Sequence, residues 1–201
     1  MNAPAIKRRI GAESSETRAL IVTATAEVIR DEGYAAASTR RVALRAGLKP
    51  SLVHYYFPTT DDLLLAVFEA GAAQSDAMIE AALAGADPVR GLWRFFTDSS
   101  RTALSVEFLA LAIRRPAIRA KVAAHSEAMR ARQVKAIKRA IGERIAGTDS
   151  PPPAALSLIL AGIGRALFTE GALGVSAGHV EASAWVEQWL DRLCPAPDGA
   201  D

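Results

Sequence analysis

Residues 38–57 read STRRVALRAGLKPSLVHYYF. Two short helical segments flank a glycine. Ser38 can cap the first segment, TRRVALRA, over 39–46. Gly47 suits the left-handed backbone of a tight turn. Pro50 sits in the first turn of the second segment, where its missing N–H costs nothing, and Phe57–Pro58 ends it. Helix, tight turn and short helix within twenty residues is the helix-turn-helix layout. That layout asks for a small residue where the helices cross (Ala43), a glycine-tolerant turn four positions on (Gly47), and a branched apolar residue six further on (Val53). Val42, Ala46 and Leu48 fill the remaining inner positions. Each feature alone says little, but their joint spacing is specific.

With those residues turned inward, Lys49, Pro50, Ser51, His54 and Tyr55 or Tyr56 face out. They offer a cation, hydroxyls, an imidazole and an apolar edge, which a major groove and its flanking phosphates accept. Arg40 and Arg41 can reach the backbone from the preceding helix. The basic arm Lys7, Arg8, Arg9 reads either as a solvated arm or as a further phosphate or minor-groove contact. The DNA-contact candidates are Thr39, Arg40, Arg41, Lys49, Pro50, Ser51, Leu52, His54, Tyr55, Tyr56 and Thr60. The competing reading is a small structural helix with a solvated face. There His54 is incidental, Tyr55 belongs to the core and Tyr56 serves either role.

Outward from this stretch, the 201-residue chain is half apolar and 23% charged, enough for a sizeable core in one or two domains. Alanine is abundant and β-branched runs are scarce, which favours helix. The net charge of +2 is unevenly placed. Residues 1–57 hold nine Lys and Arg against five Asp and Glu, or +4, leaving −2 for the rest. A basic first quarter suits a polyanionic partner. The single Cys194 allows no internal disulfide, and the chain reads as cytoplasmic, with no signal-peptide h-region. The longest apolar run, ALSLILAGIGRALF (155–168), is too short to span a bilayer and contains Arg165, so no membrane is expected. Neither is an enzyme, cofactor or metal site. The histidines (54, 125, 179) are far apart, GIG at 162–164 lacks a third glycine, and there is no GxxxxGK.

The spacing predicts an all-α chain of about nine helices. The first runs from a cap at Ser14 or Ser15 to Gly33. A fourth begins after a cap at Thr59 or Thr60 and runs to about Gly85. A fifth runs from Asp87–Pro88 to about Thr102, a sixth to Arg114, and a seventh from Pro116 to about Ala146. After GTDSPPP (147–153), an eighth runs to about 173, and Ser176 can cap a ninth ending near Leu193. The expected organisation is a flexible basic arm (1–13), a helix-turn-helix domain (14–58), a helical effector-binding and dimerisation domain (59–194), and a flexible tail (195–201).

Val42–Ala43, Ala46–Gly47–Leu48, Tyr55–Tyr56–Phe57 and Leu63–Leu64 carry a resemblance to TetR/AcrR-type transcriptional regulators, covering about sixty residues. The resemblance implies a homodimer, most simply a repressor, that binds a near-palindromic double-stranded DNA operator. It further implies a small-molecule effector in the helical body that releases it by tilting the fourth helix. Trp93, Phe96, Phe108, His125, Met129, Arg165 and Phe168 are the effector candidates, with Glu107 and Glu170 as further polar candidates; the alternative is that the apolar ones only fill the core. The apolar majority suggests a hydrophobic or amphipathic effector. Helices eight and nine combine small residues with Leu156, Ile159, Leu160, Ile163, Trp185, Val186 and Trp189, as a dimeric four-helix bundle would; intrachain packing is the alternative. Three positions depart from the family. It often has Lys, contacting phosphate, in place of Thr60, Tyr in place of His54, and an acid in place of Arg41. Two other functions stay open: a helical small-molecule-binding or scaffold protein without specific DNA binding, and a ligand-free architectural DNA binder.

Overall fold

A computed structural model describes residues 16–98, 102–141 and 151–193. The basic arm, the caps at Ser14 or Ser15, the expected end of the seventh helix near Ala146, Cys194 and the tail lie outside them. Among the described residues there are nine α-helices and no strand: α1 Glu16–Glu32, α2 Thr39–Ala46, α3 Pro50–Tyr56, α4 Thr60–Ala84, α5 Pro88–Thr97, α6 Thr102–Arg114, α7 Pro116–Ile141, α8 Pro153–Ala172 and α9 His179–Leu193. A single 3-10 turn, Tyr34–Ala36, precedes α2 and has no counterpart in the sequence reading.

Most boundaries follow the capping residues. Ser38 Oγ accepts the Arg41 N–H (3.2 Å), and Asp87 Oδ1 accepts the Arg90 N–H (2.9 Å). Thr59, not Thr60, caps α4. Its hydroxyl accepts the Asp62 N–H (3.1 Å) while the Asp62 carboxylate accepts the Thr59 N–H (3.0 Å), a reciprocal capping box. Two boundaries differ from those the sequence spacing predicts. α5 stops at Thr97 rather than near Thr102, where the Thr97 hydroxyl donates to the Trp93 carbonyl (3.0 Å) and Asp98 turns to extended backbone. α9 begins at His179, after the left-handed Gly178, rather than at Ser176.

The chain divides into two compact units: the part up to Ala72 with Ala103–Val122, and Ala73–Thr102 with Ala123 onward. α4 and α7 each contribute residues to both. In the first unit, α1 buries Ile21, Val22, Ala24, Val28 and Ile29, one helical face. These pack with Val42, Ala43, Val53, Leu64, Leu111 and Ile118. The one buried hydroxyl of α1, Thr25, donates to the Ile21 carbonyl (2.7 Å) and so leaves no orphan.

The second unit has its own core of Val89, Leu92, Trp93, Ile137, Ile141, Leu156, Leu160, Val186 and Leu190. α8 and α5 approach so closely at Gly164 that an added Cβ would lie 2.4 Å from the Phe96 carbonyl oxygen. Arg90 ties α5 to α9 through Glu187 and Asp191. α8 is 20 residues long rather than the 14 of its apolar run, because it starts at Pro153 and continues to Ala172. Among the described residues it is the one helix that length and composition alone would allow to cross a membrane, a test that the core helix of a soluble protein also passes. Leu156, Ser157, Leu160, Ala161 and Gly164 of this helix are buried within the second unit.

The glycines of α8 give a paired test. Gly164→Ala should destabilise the chain by about 1–3 kcal/mol, because the backbone of Phe96 cannot yield as a flexible side chain would. Gly171→Ala, whose Cβ would meet nothing within 4 Å, should be neutral or stabilising by up to about 1 kcal/mol. Urea denaturation of the two variants reads the difference directly.

Candidate nucleic-acid interface

Gly47 takes φ 68°, ψ 29°, the left-handed conformation. Its N–H donates to the Leu44 carbonyl (3.3 Å) and the Leu48 N–H to the Ala43 carbonyl (2.9 Å). This pair of bonds satisfies the last carbonyls of α2 and turns the chain into α3. Val42, Ala43 and Val53 are at most 1% exposed, so one face of α3 is locked against α2. On the other face Lys49, Pro50, Ser51, His54 and Tyr55 are exposed; Thr60, the first residue of α4, is exposed too. Leu52 and Thr39 are half-buried.

Tyr55, weighed as a core residue, is 46% exposed, while Tyr56, for which either role was open, packs partly buried against the first core. The reason is helical phase: Tyr56 follows Val53 by three residues and shares its face, and Tyr55 does not. Their rings meet edge to face at 5.3 Å, which fixes the outward one. Phe57 closes α3 in the core, with the Arg18 guanidinium 5.1 Å above its ring.

The arginines of α2 divide. Arg41 donates twice to Glu32 (2.8 and 2.7 Å), and Arg45 donates to Asp31 (2.8 Å) and Glu32 (3.1 Å). Both therefore bind the C-terminal end of α1, and Arg41, expected on the DNA backbone, is engaged by a carboxylate of its own chain. Arg40 is exposed and, with Lys49, supplies the outward positive charge of this face. The Arg41 fork lowers the Glu32 pKa from its ordinary value, and Arg41 is raised in turn.

The other candidate sets do not each gather in one place. Trp93 is 3% exposed in the second core, beside half-buried Phe96. Phe108 instead lies in the first core, 5.6 Å from Phe68. Met129 and Phe168 are half-buried and Arg165 is exposed, while His125 stands 3.9 Å from Asp76. Glu107 accepts the Tyr34 N–H (3.4 Å), and Glu170 pairs with His179 (2.9 Å). Of the dimerisation set, Leu156, Leu160 and Val186 are 0% exposed inside their own unit. They are corrected to core, since Leu156 and Leu160 are one helical turn apart on the face that meets α5 and α9. Ile159 and Trp185 are exposed, and Ile163 and Trp189 half-buried, with the two indoles stacked at 5.5 Å. Leu158, 61% exposed beside Ile159, was missed. A second omission is the Arg130–Ser157–Gln133 hydrogen-bond chain of α7 and α8. Its signal was polar residues at inward helical positions.

Residues 21–67 match the family described as bacterial regulatory proteins, tetR family, a span that runs from α1 into α4. No curated protein matches the chain. Among solved structures, a TetR-family member from Streptomyces coelicolor is 27% identical, with 90% of this chain and 100% of that one aligned at a TM-score of 0.65. A TetR transcription regulator from Haloarcula marismortui is 21% identical, with 88% and 97% covered and a TM-score of 0.71. The multidrug binding protein EbrR, solved with imidazole, is 27% identical, with 93% and 99% covered and a TM-score of 0.56. The helix-turn-helix residues thus match the tetR family model, and the chain is similar in fold to solved tetR-family transcriptional regulators.

Two measurements probe the scaffold of this face. Gly47→Ala meets no steric obstacle, so its cost is the left-handed backbone alone, about 1–2 kcal/mol in thermal or urea unfolding. Because folding lowers the Glu32 pKa, the Arg41 pair contributes stability that is present above the unfolded-state pKa and lost as pH falls through the folded-state value. In an NMR titration, Glu32 should ionise below the ordinary glutamate range and move part of the way back in Arg41→Met, since Arg45 still donates to it. An identical titration in both proteins contradicts the pair.

Proposed function

We propose that the protein is a ligand-responsive transcriptional regulator, most simply a repressor. As a homodimer it binds a near-palindromic DNA operator and is released by a small-molecule effector. The observation that carries this reading is α3: one face is locked by Val53, and the other presents Lys49, Ser51, His54 and Tyr55. Lys49 and Arg40 suit phosphates, Ser51 and His54 suit base edges, and exposed Tyr55 suits a thymine methyl or a sugar. Pro50 and half-buried Leu52 shape the approach, with Thr39 and Thr60 as hydroxyl contacts to the backbone. Arg41 is reassigned from phosphate contact to holding α2 on α1.

Two copies would place their α3 helices in successive major grooves roughly 34 Å apart. The exposed stripe Leu158, Ile159, Gly162 and Ala166 of α8, with Trp185 of α9, supports a surface shared by two copies. The imidazole complex of EbrR supports a small-molecule site in a related fold. α4 and α7 contribute to both units and would carry effector occupancy to the heads as a shift between two states. Catalysis has no place in this reading.

Lys49→Ala with His54→Ala should weaken specific operator binding by about 2–4 kcal/mol while leaving helicity and dimerisation intact. The salt dependence between about 50 and 200 mM should flatten by roughly one counterion for the lost lysine. Fluorescence anisotropy at several salt concentrations reads both; unchanged affinity would remove α3 from the interface and favour a helical binding protein without operator recognition.

A further inference from the structure

Three arginines on the helices of the second unit have contrasting surroundings. Arg90 pairs with Asp87, Glu187 and Asp191, and Arg132 with Asp76 and Glu80. Arg130 is half-buried, yet among the described residues no carboxylate pairs with it. Its Nη1 donates to the hydroxyl of Ser157 (2.8 Å), which is itself 0% exposed and donates on to Gln133, 2% exposed. A guanidinium has five N–H donors, so this bond orients Arg130 and leaves most of its donors for another acceptor. Arg165, exposed on α8, adds its positive charge to the electrostatics felt by Arg130. Burial first, and that neighbouring charge second, push the Arg130 pKa down, with Glu127 opposing them. A half-buried cation repelled by another cation is stabilised when an anion arrives, and the planar fork matches a carboxylate.

An apolar residue stands near each cation in the sequence. Met129 precedes Arg130, and Phe168 follows Arg165 by one turn of α8; both are half-buried. We propose that Arg130, oriented by Ser157 and Gln133 and reinforced by the charge of Arg165, binds the carboxylate of an amphipathic organic acid, with Met129 and Phe168 as the candidates for contact with its apolar body. This deepens the effector part of the proposed function and rests on it. It narrows the ligand from hydrophobic or amphipathic to anionic.

The test uses the full-length protein and defined probes: benzoate, octanoate and decanoate, each against its neutral primary amide. Thermal unfolding and calorimetry should show that at least one acid binds and stabilises the chain while its amide does not. Arg130→Met should weaken that acid roughly 10- to 100-fold, as expected for losing a charge-assisted bidentate contact. Arg165→Gln should weaken it less, and the exposed Arg139→Gln not at all. Because Arg130→Met could disturb packing, Arg130→Lys serves as the second variant: it keeps the charge, and binding should fall between wild type and Met. Equal binding of acid and amide, no binding of any acid at millimolar concentration, or wild-type affinity in both Arg130 variants overturns the proposal. Failure of the DNA reading shows separately, as absent operator binding in the ligand-free protein whose acid-induced stabilisation persists.

Discussion

The left-handed backbone at Gly47 sets the course of α3, and the choice of which α3 side chains face outward depends on it. A residue with a Cβ could adopt that conformation only at a cost, and without it the Leu48 N–H could not return to Ala43. Once the turn is made, Val53 reaches the Val42–Ala43 surface and is removed from water. Burying one face of a seven-residue helix leaves the opposite face exposed, so Lys49, Ser51, His54 and Tyr55 are presented by default. α1 contributes a second restraint, since Glu32 and Asp31 hold Arg41 and Arg45 and thereby hold α2.

The heads and the body place different demands on sequence. In the first unit, short-range rules decide most of the outcome: caps at Ser38 and Thr59, a glycine turn and a proline at the first turn of α3. Such features are legible because each depends on residues within four positions. The bounds of α2 and the end of α3 follow directly from them. Tyr55 and Tyr56 were not legible from composition, because both are large and amphipathic; only the phase set by Val53 separates them. The engagement of Arg41 was hidden for another reason. Its partner Glu32 lies nine residues away, across a 3-10 turn that no periodicity announced.

In the second unit the same limits appear more strongly. Leu156 and Leu160 are as apolar as Leu158 and Ile159, yet one pair is core and the other is surface. Sequence type cannot divide them; the heptad phase of α8 against α5 and α9 does, and the close approach at Gly164 sets that phase. Phe108 illustrates the same point between cores, since an aromatic residue on α6 packs against Phe68 rather than with Trp93. Ser157 and Gln133 were legible in principle, being polar residues at inward positions, which burial tolerates only when they are hydrogen-bonded. The cation they orient makes this unit chemically selective rather than merely apolar.

The central claim is that α3 reads DNA sequence as one half of a symmetric pair. Selection of bound duplexes from a random library, using the full-length protein at physiological salt, tests it most directly. The account predicts an enriched inverted repeat whose half-sites lie about one helical turn apart, roughly 34–36 Å. Binding without enrichment of any sequence, or enrichment of a single unrepeated site, would contradict it.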